Sequence, residues 1–221
     1  MAERPGPLDP QRQALLEHLA AHRVEGVIIG GAAIQNYRPT YATDDVDFAP
    51  ARDDENMRRL ADALNGLDCR LVVDPADPSS HVALPPDYFT PASLSNARFW
   101  NLATRLGDLD VCFEPAGFPG GYEDLRGRAS LQTIAGTTIS APVAALADVE
   151  HSKRTAGRSK DLSYFDSYPS EQTAGDEVDE LRRIRSACYP QDPQASRPSE
   201  PHDRRTRHGQ DPGRPDRGHE R

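Results

Sequence analysis

Asp45 and Asp47 stand one residue apart at the start of an apolar run, Val46 to Ala49. In a strand alternate side chains share a face, so the two carboxylates project side by side while Val46 and Phe48 turn the other way. Adjacent carboxylates with no cation between them repel, which raises the pKa of one of them. A divalent cation removes that cost, and an oxygen-only ligand set suits Mg²⁺ or Mn²⁺. Upstream, a second apolar run, Val27 to Ile29, ends in Gly30-Gly31. Glycines let a backbone approach a ligand closely, and a helix that begins there offers free amide N–H groups to phosphate. A strand, Gly-Gly, a helix over residues 32–37, Thr43 and then Asp-x-Asp together describe a site for a metal-bound nucleoside triphosphate. The Asp-x-Asp pair alone is not specific: Asp108-Leu109-Asp110 repeats it, and a solvated strand end gives the same pattern.

With its spacing and apolar context, this stretch resembles the G-G…D-x-D signature of the nucleotidyltransferases related to DNA polymerase beta. The resemblance implies a third carboxylate on a later strand. Residues 98–114, RFWNLATRLGDLDVCFE, form two apolar-rich runs broken at Gly107-Asp108, a hairpin signal. Asp110 lies on the second run and is the candidate third metal ligand beside Asp45 and Asp47. Asp108 is assigned to the turn, a role Asp often fills.

A second resemblance covers residues 151–165, HSKRTAGRSKDLSYF, preceded by Gly121-Tyr122-Glu123-Asp124-Leu125 and an expected helix from Pro142 to Val149. These features are similar to small bacterial nucleotidyltransferases, including AbiEii-like toxins of toxin–antitoxin pairs, which carry a Lys…Arg…Lys-Asp helix-turn-helix segment after the catalytic sheet. The match runs from about Gln11 to Tyr168. It implies that Gly30, Gly31 and Thr43 contact the nucleotide, that Lys153 pairs with its β- or γ-phosphate, and that Asp161 orients Lys153 or the ribose. It implies NMP transfer from an NTP to tRNA, and neutralisation by an antitoxin protein. Two other functions stay open: an AMP-transferring antitoxin or regulator that modifies a protein hydroxyl, and a nucleotide-binding protein without catalysis. Lys153 and Lys160 are the only lysines in the chain. A compact ammonium on a phosphate is a role Arg fills less well, although a solvated basic helix end leaves the same trace.

The elements that must position these residues follow from local pattern. Asp9-Pro10 marks a helix start with Leu15, Leu16 and Leu19 on one face. Val27–Ile29 and Val46–Ala49 are strands, Met57, Leu60, Leu64 and Leu67 mark an amphipathic helix, and Arg70–Val73 a third strand. Pro75 to Pro91 is a Pro-rich loop expected to border the cleft, and Thr137–Ile139 a short edge strand. From Ala141 onward the chain reads as helical, with Val178, Leu181 and Ile184 on a last helix. The expected fold is therefore α/β (α+β): a small mixed sheet flanked by helices, with the catalytic core over 9–140, a helical segment over 141–187 and a disordered tail over 188–221.

Composition bounds the partners. A chain of 221 residues fits one domain with a small appendage, and a formal charge of −9 argues against a general nucleic-acid coat. RNA would have to bind at a local patch such as Arg126, Arg128, Lys153, Arg154, Arg158 and Lys160. Cys69, Cys112 and Cys188 are odd in number and lack metal spacing, so Cys69 and Cys112 read as small core residues. No run is apolar enough to span a membrane and the first residues do not resemble a signal peptide, so a cytoplasmic location is expected. The tail, rich in Pro, Arg and Asp, is either an RNA-contacting arm or an extension without a role, and its nearly balanced charge favours the second. His202, His208 and His219 lie there and are poor metal ligands. His151 is read as structural, at a helix end.

Overall fold

The computed structural model describes residues 9–168 and Ser170. The expected helix around Val178, Leu181 and Ile184 and the tail from 188 lie outside the described residues. Among the described residues the architecture is α+β, with seven α-helices and one eight-stranded mixed sheet. In chain order the elements are α1 (Pro10–Ala21), β1 (Gly26–Ile28), α2 (Gly30–Tyr37), β2 (Val46–Pro50), α3 (Asp54–Asn65), β3 (Arg70–Leu71), β4 (Val82–Ala83), α4 (Pro91–Ser95), β5 (Phe99–Thr104), β6 (Gly107–Cys112), α5 (Tyr122–Arg126), β7 (Ser130–Thr133), β8 (Ser140–Val143), α6 (Leu146–Ala156) and α7 (Ser159–Ser167). The strand order is β4-β3-β5-β6-β2-β1-β8-β7.

Local chemistry explains the first helices. The Asp9 side chain accepts from the amides of Gln11 and Arg12, and Pro10 occupies the first turn, where its missing N–H costs nothing. Asp53 caps α3 in the same way through Asn56 N–H, and Met57, Leu60 and Leu64 form its buried stripe. These stripes join Leu15, Leu16 and Leu19 in a core with Ile28, Val46, Phe48, Leu102, Leu109 and Val111. Because side chains alternate along a strand, residues 45, 47, 99, 101, 110 and 112 face the opposite side. Asn56 is 1% exposed and ties this side of the core together. Its carboxamide accepts from Glu25 N–H and donates to the carbonyls of Glu25 and Ala51, which locks β1 against the end of β2.

Four expectations change. The hairpin turn is Arg105-Leu106, not Gly107-Asp108: Thr104 pairs with Gly107, and Asp108 is an exposed strand residue opposite Ala103. The Thr104 hydroxyl fixes this turn by accepting from Leu106 N–H and donating to Gly107 O, while Gly107 takes a φ of +114°. The Pro-rich loop does not border the cleft. It carries β4, which pairs with β3 at the sheet edge away from the carboxylates. Residues 137–139 are the hairpin loop between β7 and β8, closed by Thr137 hydrogen bonds to Ile134 and Ile139; the edge strand is β7. Finally, Ala141–Val143 are extended, because β8 pairs parallel with β1, and the helical part begins at Leu146. Among the described residues no helix is long and apolar enough to cross a membrane.

Candidate active site

Strand pairing assembles the carboxylates. β2 and β6 run parallel with Asp47 opposite Asp110, so the two side chains sit abreast on the open face. Asp45 precedes β2 by one residue and points to the same region. One oxygen from each of Asp45, Asp47 and Asp110 lies within 4.8 Å of the others, and all three residues are half-buried. Burial and the charge of Asp45 push the Asp47 pKa up to about 7, against a smaller opposing effect of Lys153. Asp110 is also raised, chiefly by burial, while a hydrogen bond from the Asn101 side chain opposes the rise. Hard oxygen donors with uncompensated mutual repulsion are the donor set a divalent cation fits.

The two glycines have a more specific task than the sequence indicated. Gly30 has a φ of +56°, and a Cβ there would collide with the Asp47 carboxylate. The Gly31 amide donates to Asp47 Oδ2 at 2.8 Å, so the free N–H at the start of α2 is used by the carboxylate itself. A Cβ on Gly31 would sit 2.6 Å from Thr43 Oγ1. Thr43 in turn donates to Asp45 Oδ1 and so orients this carboxylate. Gly30→Ala is therefore expected to cost about 1–3 kcal/mol of stability from the left-handed backbone alone. It should also displace Asp47 and weaken Mg²⁺ binding; denaturant unfolding and calorimetry read the two effects separately.

A layer behind the carboxylates was missed by the sequence reading. Arg12 is 5% exposed, with its guanidinium donating to Gln35 Oε1, to Thr43 O at 2.7 Å and to Ala135 O at 3.3 Å. It fastens α1 to α2 and to the loop that carries Thr43. An Arg three and four residues before Leu15 and Leu16, on the apolar stripe of α1, was the signal. Asn101 was missed because the turn was placed two residues late, which moved its partner away from Asp110.

Over the carboxylates stand α6 and α7, joined at Gly157, whose φ of +70° ends α6. Lys153 Nζ lies 3.7 Å from Asp161 Oδ2, an ion pair in which Asp161 is 2% exposed and Lys153 17%. That oxygen of Asp161 has no hydrogen-bond partner, so Lys153 is its counter-charge. Asp161 thus holds Lys153 at the wall of a cleft of about 280 Å³ that Gly30, Asp47, Asp110 and Arg158 also line. Cys112 lines it too, half-buried, whereas Cys69 is buried in the core; both are free thiols. His151 is not at a helix end but in mid-α6, its ring 5.3 Å from that of Phe118.

The expected basic patch is largely neutralised within the chain. Arg126 pairs with Glu123, Arg128 with Asp148, and Arg154 with Glu150 and Asp166, all at 2.8 or 2.9 Å. Lys153 is engaged as described, and only Arg158 and Lys160 of the six have no ion pair among the described residues. No family model and no curated protein matches the chain.

Proposed function

We propose that the protein is a metal-dependent nucleotidyltransferase that moves NMP from an NTP to an acceptor hydroxyl. The observation that carries this is the register of Asp47 against Asp110, which with Asp45 makes a three-carboxylate cradle beside the Gly-Gly helix start and beneath Lys153. Mg²⁺ or Mn²⁺ held there by Asp45, Asp47 and Asp110 would supply charge stabilisation at the phosphoryl oxygens and acidify the attacking hydroxyl. Thr43 and Asn101 keep the outer two carboxylates oriented, and the Gly31 amide keeps the middle one. Asp110, whose pKa is raised, is placed to take the acceptor's proton instead if only one metal binds. Lys153, positioned by Asp161, supplies positive charge to the triphosphate.

The resemblance to AbiEii-like toxins makes tRNA the first acceptor to examine and an antitoxin the partner to seek. A protein hydroxyl is the second reading, favoured by the intramolecular pairing of Arg126, Arg128 and Arg154, which leaves little free positive charge for a polyanion. Incubation of the full chain with each labelled NTP, Mg²⁺ and either total tRNA or cell lysate separates the acceptors; label on none of them would defeat the proposal. In the same assay Lys153→Ala should lower the rate by about 10²-fold, the usual loss when one preorganised donor to a transition-state charge is removed. Lys153→Arg should recover only part of it, since a planar fork does not reproduce a compact ammonium paired with a buried Asp161. Full recovery with Arg would assign Lys153 to the helix surface.

A further inference from the structure

We propose that Phe99, with Arg158 on the same cleft, forms a stacking subsite for a nucleobase on the Asp110 flank of the site. The inference rests on the nucleotidyltransferase reading and extends it to the substrate's aromatic part. β5 carries two successive aromatic residues with opposite fates. Trp100 is seated on the far face of the sheet, its ring 5.5 Å from Phe89 and 6.0 Å from Tyr88. Phe99 lies on the cleft face and is 63% exposed. It meets no other ring and no guanidinium among the described residues. An isolated exposed apolar side chain on a surface needs no explanation. This one is in the wall of the cleft, on an inner strand, with Cys112 as its cross-strand partner.

Its place relative to the carboxylates is set by register. Phe99 and Asn101 are two residues apart on one face, roughly 7 Å along the strand. Asn101 sits directly opposite Asp110 and hydrogen-bonds it. A ring stacked on Phe99 is therefore within one nucleotide's reach of Asp110. Two cations line the cleft, and the charge of Lys153 is felt at Asp47 and that of Arg158 at Asp110. Arg158 is exposed and has no ion pair among the described residues, so it is free to meet a ligand phosphate. An open aromatic face and an unpaired guanidinium in one cleft suit a planar ring joined to an anionic phosphate, and every nucleobase has the π-face this needs. The base could come from the NTP or from the terminal nucleotide of a single-stranded acceptor.

Phe99→Trp in the full chain places an indole in the cleft, while Trp100, packed against Phe89 and Tyr88, provides a constant background measured in the unsubstituted protein. Titration with Mg²⁺-NTP, with a short single-stranded oligoribonucleotide and with ribose 5-triphosphate, which lacks a base, should show quenching by a base-bearing ligand only. Phe99→Ala should weaken binding of that ligand about tenfold, and Phe99→Tyr should stay within about twofold. Quenching by the oligonucleotide alone assigns the acceptor base, and quenching by the NTP alone assigns the donor base. No quenching by either, with unchanged affinity in Phe99→Ala, overturns the subsite. Calorimetric titration of the unsubstituted chain with Mg²⁺-NTP reads the enzymatic proposal independently. Heat without quenching sinks the subsite and leaves the enzyme reading standing, and quenching by oligonucleotide without NTP heat does the opposite.

Discussion

Asp47→Asn should yield a protein that is more stable without metal and inactive with it. In the unfolded chain an Asp loses its proton near 3.8, whereas the folded Asp47 keeps its proton up to about 7. Folding therefore takes up a proton between those values, so stability falls as pH rises through that window and stays lowered above it. The shift corresponds to about 4 kcal/mol at pH 8. In EDTA the Tm should accordingly drop between pH 5 and pH 8, and saturating Mg²⁺ should restore it at pH 8 because the cation binds the ionised form. Asn keeps an oxygen to accept from Gly31 N–H but carries no charge to repel Asp45 and Asp110. The variant should lose most of the pH dependence, melt about 8–16 °C higher in EDTA at pH 8, and show no Mg²⁺ stabilisation. Its transfer rate should fall on the order of 10³-fold, the several kcal/mol that metal-assisted charge stabilisation supplies. Identical melting of the two proteins across pH 5–8, with Mg²⁺ inert toward both, would return Asp47 to a solvated strand end.

The second large effect separates two carboxylates on one strand. Asp108 and Asp110 share the open face of β6, but only Asp110 lies opposite Asp47 and within reach of Asp45. Asp110→Asn should reduce transfer by orders of magnitude, on the scale of a lost metal ligand, and Asp108→Asn, an exposed residue paired with Ala103, should change the rate less than about threefold, as surface substitutions do. Parallel Mg²⁺ titrations should rank the two in the same order. A larger loss from Asp108→Asn than from Asp110→Asn would mean that the functional register differs from the one observed by two residues, which keeps both side chains on the same face.

The fold class and much of the candidate site could be read from local pattern, and the reason is physical. Apolar periodicity, Asp9-Pro10 as a helix start, and the Gly30-Gly31 break are short-range features, so strand, helix and Asp-x-Asp followed from neighbouring residues alone. The type of chemistry proposed, oxygen ligands for a hard cation beside a helix start, followed from Asp45 and Asp47. Asp110 was named as the third carboxylate through a resemblance rather than through any local signal. What only the tertiary structure decided are pairings between distant segments. A hydroxyl at Thr104 moved the hairpin turn to Arg105-Leu106 and thereby set Asn101 against Asp110. Parallel pairing with β1 made Ala141–Val143 a strand where helix was expected. The Gly31 amide, open to phosphate by sequence, is occupied by Asp47 because β2 folds back antiparallel on β1. Arg12, 31 residues before Thr43, anchors the loop that carries Thr43 by a hydrogen bond that has no periodicity to betray it. Local propensity writes each element into its own few residues, but which carboxylates meet, and which groups hold them, depends on register between strands far apart in the chain.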